Sequence, residues 1–94
     1  MQESCEAVIT LTGDLHARPA ASLAIAAAKF DSSITLIVGD SRADAKSVLA
    51  VMGIGATSGQ QVRVKAQGRD AAQAVEALSE LLAQATQVGQ NQLS

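Results

Sequence analysis

Apolar positions change their period several times along this chain, and each change marks an element. Ala7, Ile9 and Leu11 alternate with Val8, Thr10 and Thr12, the period-two pattern of a strand. Gly13-Asp14 breaks it, and from Ala17 the spacing becomes helical. Ala20, Leu23, Ala24 and Ala27 recur at i, i+3, i+4 and i+7, and the run ends near Phe30. Pro19 falls in the first turn, where its missing N–H removes no helical hydrogen bond. Asp31-Ser32-Ser33 predicts a turn, and Ser33 to Val38 a second strand with Ile34, Leu36 and Val38 on one face. Gly39-Asp40 predicts a tight turn into a short third strand around Arg42 to Ala45, making a hairpin. Ser47 to Met52, with Val48, Val51 and Met52 apolar, predicts a short helix, and Gly53, Gly55 and Gly59 punctuate the loop after it. Gln61 to Gln67 is the clearest strand: Val62, Val64 and Ala66 alternate with Arg63, Lys65 and Gln67. Gly68-Arg69-Asp70 ends it, and Ala71, Val75, Leu78 and Leu82 mark a final helix with Asp70 as its N-cap.

The resulting order is βαββαβα. Runs of strands separated by single helices predict an α+β fold: a four-stranded, mainly antiparallel sheet with its helices on one face, an open-faced sandwich. One domain is expected over residues 1–84, followed by a polar tail over 85–94 that has no apolar period and frays.

Composition narrows the core. Hydrophobic residues make up 48% of the 94 positions but aromatics only 1%, so the core is built from Ala, Val, Ile and Leu, with Phe30 its one ring. The formal charge of -2 and the lack of aromatic stacking platforms argue against nucleic-acid binding. The lone Cys5, read as a strand-edge thiol, cannot form an internal disulfide, and one His with one Cys gives no basis for a metal site. No apolar run approaches the length of a membrane span and the N-terminus is acidic, so the expectation is a cytoplasmic monomer without cofactor or membrane insertion.

The candidate chemistry sits at His16, where a strand ends and a helix begins. First-turn amides have no partner inside a helix and carry the positive end of its dipole, so an anion is stabilised there. Arg18 adds a planar cation that can meet two phosphate oxygens at once. An imidazole, with an ordinary pKa of about 6.5, is largely neutral and nucleophilic at neutral pH. Taken singly, each residue has an ordinary explanation: a cap, a solvated charge, a helix starter.

The run His16-Ala17-Arg18-Pro19-Ala20, preceded by Leu15, resembles the phosphorylation-site motif of HPr, the phosphocarrier family of the sugar phosphotransferase system. The block Ala45-Lys46-Ser47-Val48-Leu49-Ala50-Val51-Met52-Gly53 resembles the family's serine-containing short helix, at the family's spacing from the histidine. The Gly68 turn and the alanine-rich final helix match as well, so that the resemblance covers roughly residues 6–83. It implies the same βαββαβα sandwich. It also implies a stoichiometric carrier rather than an enzyme: His16 is phosphorylated on Nδ1 by enzyme I and passes the group to an enzyme IIA, with Arg18 and the amides of Ala17 and Arg18 cradling the phosphoryl oxygens. Partner docking is implied at Ala20, Val48, Leu49 and Met52, and a regulatory phosphorylation by an HPr kinase/phosphorylase at Ser47, a residue that as an N-cap needs no such role. One departure stands out: Asp14 occupies a place where the family usually has Gly, and its charge opposes a dianion at His16.

Other readings fit parts of the pattern. The same carrier chemistry could serve dihydroxyacetone phosphorylation or a nitrogen-regulatory branch. A binding or corepressor module controlled by Ser47 would make His16 secondary. A ligand-binding regulatory domain leaves the His16-to-Ala20 run unexplained.

Overall fold

A computed structural model describes residues 3–85. The elements are β1 (Glu3–Thr10), α1 (Ala17–Ala27), β2 (Ser33–Val38), β3 (Ser41–Asp44), α2 (Val48–Ile54), β4 (Gln61–Gly68) and α3 (Ala71–Ala85). The four strands form one sheet in the order β1-β4-β2-β3, and every neighbouring pair is antiparallel. The α+β open-faced sandwich expected from the pattern is the fold observed.

Alternation along β4 decides which face is covered. Val62, Val64, Ala66 and Gly68 are buried while Gln61, Arg63, Lys65 and Gln67 are exposed. In register, Val64 lies between Ala7 of β1 and Leu36 of β2, so one row of apolar side chains crosses the sheet. The helices pack on that side: α3 over β1 and β4, α1 against α3, and α2 against α1 and β3. Ala20, Ala24 and Ala27 form the buried stripe of α1 with Leu23, and short side chains let that helix come close. Leu11, Leu23, Ile34, Leu36, Val51, Val62, Val64, Leu78 and Leu82 fill the core, with Phe30 half-buried at its margin. Cys5 is half-buried on β1, an outer strand of the sheet.

Differences from the sequence expectations have physical causes. β1 starts at Glu3 and stops at Thr10, because its polar first residues are held by the ladder to β4, from Glu3 opposite Gly68 to Thr10 opposite Gln61. α1 gives way to a turn after Ala27, where Lys29 and Phe30 donate to the carbonyls of Ala26 and Ala27. Ala45 leaves β3 yet still donates to the Ile34 carbonyl at 2.9 Å. α2 runs through Gly53 to Ile54 and ends at Gly55, which takes the left-handed conformation at φ 66°. The tail expected over 85–94 lies, apart from Ala85 in α3, outside the described residues.

Asp70 precedes α3 as expected, and its carbonyl accepts the Ala74 amide at 2.9 Å, while its carboxylate reaches a distant turn. It accepts from the Asp31 and Ser32 amides at 2.9 Å each and from the Ser32 hydroxyl, strapping the α1–β2 turn to the start of α3. These bonds, the Ser32 hydroxyl foremost and the Asp31 amide next, hold the Asp70 carboxyl below its usual range. Gly68 makes room for this strap: a Cβ there would stand 2.4 Å from Ser32 Oγ, at a backbone φ of 146°.

Candidate functional site

His16 is the N-cap residue of α1, with extended backbone (φ -81°, ψ -174°), and its carbonyl accepts the Ala20 amide at 3.0 Å. Its side chain makes no capping hydrogen bond. Ala17 and Arg18 then supply first-turn amides that the helix itself cannot use, and Pro19 supplies none. No acidic side chain occupies that turn to compete for them. The imidazole is 76% exposed. Arg18 is exposed two residues on, and its guanidinium forms no ion pair among the described residues.

The loop carrying His16 is anchored from beneath and from one side. Leu11 and Leu15 are buried, which pins the chain at both ends of the turn through Gly13 and Asp14. The loop between α2 and β4 runs alongside. Leu11 donates to the Gln60 carbonyl at 2.9 Å and accepts from the Gly59 amide at 2.9 Å. Leu15 donates to the Ala56 carbonyl at 3.0 Å, and the Ser58 amide donates to Asp14 Oδ1 at 2.9 Å. The other Asp14 oxygen stands 3.9 Å from His16 Nε2. An open depression of about 310 Å³ lies between the two loops, lined by Asp14, Leu15, His16, Ala17, Met52, Gly55, Ala56 and Thr57.

The C-terminal end of α2 thus meets His16, while Ser47 caps the other end. Its Oγ accepts the Ala50 amide at 3.2 Å. At 1.5 Å per residue, the eight-residue step from Ser47 to Gly55 spans about 12 Å. On the flank of α2, Leu49 is 81% exposed and Met52 41%, whereas Val48 is half-buried and Val51 fully buried. Ala20, expected among the docking residues, is fully enclosed in the core, because its place on the i, i+3, i+4 stripe turns it inward. It cannot touch a partner. The sequence reading also missed Ala56 and Ser58, which hold Leu15 and Asp14 beside His16 through backbone groups that no side-chain type announces, and Thr57, which lines the depression.

Such a site can hold an anion against an exposed imidazole. No cluster of three His, Cys, Asp or Glu side chains suited to a metal ion occurs among the described residues. Nor is any described helix long and apolar enough to cross a membrane.

Comparison with known proteins gives the same direction. Residues 3–84 match the family model described as the phosphotransferase-system HPr component phosphorylation site. The phosphocarrier protein HPr of Mycoplasma capricolum is 40% identical over 76 residues, covering 81% of this chain and 85% of the relative. The crystal structure of HPr from Bacillus anthracis superposes with a TM-score of 0.79 at 26% identity, covering 84% of this chain and 96% of that one. Crh from Bacillus subtilis, described as a catabolite repression protein that forms a domain-swapped dimer, superposes with a TM-score of 0.69 at 32% identity, covering 79% of this chain and 85% of that one. Fold, helix-entrance histidine and likeness over nearly all the described residues agree, and the chain belongs to the HPr family of phosphocarrier proteins of the phosphotransferase system.

Proposed function

We propose that His16 accepts a phosphoryl group on Nδ1 from enzyme I and hands it to an enzyme IIA in cytoplasmic sugar uptake. The observation that carries this reading is the exposed, uncapped imidazole at the start of α1, beside free first-turn amides and an unpaired guanidinium. A phosphoryl group on the ring takes hydrogen bonds from the Ala17 and Arg18 amides and a bidentate contact from Arg18. The carrier holds the group in a solvent-facing depression, so a partner's histidine can approach in line and complete the site. Leu49, Met52 and the exposed part of Val48 form the apolar ground on which partners settle. Incubation with enzyme I and phosphoenolpyruvate, followed by mass spectrometry, should place one phosphate on His16 and none on His16→Ala. Label retained in His16→Ala overturns the reading. Offering the loaded protein to sugar-specific, dihydroxyacetone-linked and nitrogen-linked acceptors separates the pathways.

A second reading, a binding module governed by Ser47, is favoured by the placement of that hydroxyl at the free end of the same short helix, and by the likeness to Crh. A phosphate on Ser47, placed by an HPr kinase/phosphorylase, would set a charge of about -2 roughly one helix length from His16 and repel a phosphorylated partner. Ser47→Asp keeps a capping oxygen and adds charge, so its transfer rate should fall about tenfold or more. A rate equal to the parent's removes the switch.

A further inference from the structure

Asp14 has two contacts that fix what its carboxylate can do. Oδ1 accepts the Ser58 amide at 2.9 Å, a bond between residues far apart in the chain that holds the carboxylate in place. Oδ2 faces His16 Nε2 at 3.9 Å. That separation lies beyond hydrogen-bond range, and the ring, 76% exposed, has room to turn toward the carboxylate. Asp14 is also the only carboxylate among the residues lining the depression.

The two imidazole nitrogens are not equivalent here. Nε2 is the outer one and points toward Asp14. Nδ1 is bonded to Cγ, as is the side-chain oxygen of a capping Asn or Asp, so it is the ring nitrogen that side-chain rotation can turn toward the first-turn amides, although the side chain makes no capping hydrogen bond in this structure. A ring that gives its Nε2–H to a carboxylate keeps its lone pair on Nδ1.

We propose that Asp14 is a positioning residue for phosphoryl transfer: anchored by the Ser58 amide, it holds the Nε2–H of His16 and leaves Nδ1 free to take the phosphoryl group at the entrance of α1. This inference rests on the phosphocarrier reading above. In the loading step the Nδ1 lone pair attacks the phosphorus of the donor's phosphohistidine. A new N–P bond forms as the donor's N–P bond breaks, and the donor ring leaves with the electron pair. No proton leaves His16. The loaded ring is a cation that keeps its Nε2–H, and Asp14 faces that proton. Delivery to the acceptor runs the same step in reverse on His16.

The carboxylate therefore acts on two charges of opposite sign. It attracts the cationic ring across the short gap at Nε2, and it repels the phosphoryl oxygens, which lie beyond the full width of the imidazole. Coulomb energy falls with distance but grows with charge: the dianion carries twice the charge of the ring at roughly twice the distance, so attraction and repulsion are of similar size. What Asp14 contributes is the placement of the ring and of its Nε2–H, not a net electrostatic gain.

Nitrogen-15 NMR of His16 with the ring neutral tests the first half of the proposal, and the rate of phosphoryl transfer from enzyme I tests the second. The parent should hold the Nε2–H tautomer more completely than Asp14→Ala, and Asp14→Asn, whose oxygen stays on the Ser58 amide and whose NH2 then faces Nε2, should hold it least. Transfer should slow about three- to tenfold in Asp14→Ala and at least as much in Asp14→Asn. The asparagine keeps an acceptor for the Ser58 amide, so loosening of the loop alone would shift the Ser58 resonance in the alanine variant and spare the asparagine one. Equal tautomer populations in parent and Asp14→Ala overturn the proposal, as do changed populations with unchanged transfer. The tautomer is read on the unphosphorylated protein. A parent that never loads His16 would refute the phosphocarrier reading, and the transfer role of Asp14 with it, while the tautomer result would still stand by itself.

Discussion

Single side chains divide here into those that serve the site and those that hold the frame around it. His16 and Arg18 are exposed at a helix entrance and contribute little to packing. Asp70 and Gly68, near the other end of the chain, are framework residues that act together on Ser32. Because the Asp70 carboxyl is held below its ordinary value, the stability it adds is present above the ordinary carboxylate range, near pH 4, and is lost as pH falls through its lowered folded value. Thermal melts of Asp70→Ala should show a clear loss against the parent at pH 7, narrowing toward pH 2 as the parent's carboxylate protonates. A difference that stays constant from pH 7 to pH 2 would mean the strap works without its charge. None of this was legible in the sequence, where an Asp ahead of an apolar-periodic run is a helix cap by default. The long-range partners of Asp70, 38 and 39 residues away, have no local signature.

At the scale of elements, periodicity was a good guide wherever one face is buried. β4 and α1 sit where their patterns put them, since Val62, Val64 and Ala66 in the strand and Ala20, Leu23, Ala24 and Ala27 in the helix all face the core. Periodicity failed at ends governed by pairing: the polar start of β1 is set by β4, not by its own residues. At Ala20 the expectation that failed was the docking role implied by the family resemblance, since the helical phase that periodicity had read correctly buries it. α2 is the element that joins both lessons. Val51 fixes it to the core, and Leu49 faces solvent on its opposite flank. Leu49→Asp should leave the melting temperature nearly unchanged, because the side chain is 81% exposed, yet raise the KM for enzyme I about tenfold by placing charge in the docking patch proposed above. Steady-state phosphotransfer beside a thermal melt checks both halves, and a large loss of stability with normal KM would show that α2 uses Leu49 for packing.

The whole molecule separates support from chemistry. A sheet backed by three helices supplies the rigid part, and the histidine lies at the rim where the β1–α1 and α2–β4 loops run side by side. The order of elements was readable from pattern alone, and the motif around His16 named the chemistry, but the meeting of these two loops was not, since it is made by main-chain groups. Hydrogen bonds link the loops, and in those of Leu11, Asp14 and Leu15 the contribution from the α2–β4 side is an amide or a carbonyl: those of Ala56, Ser58, Gly59 and Gln60. Main-chain groups are common to nearly all residue types. Relatives can therefore rewrite the letters of this stretch freely, but adding or removing one residue would slide every bond out of step and carry the histidine with it. Length, rather than spelling, is what descent has to keep there.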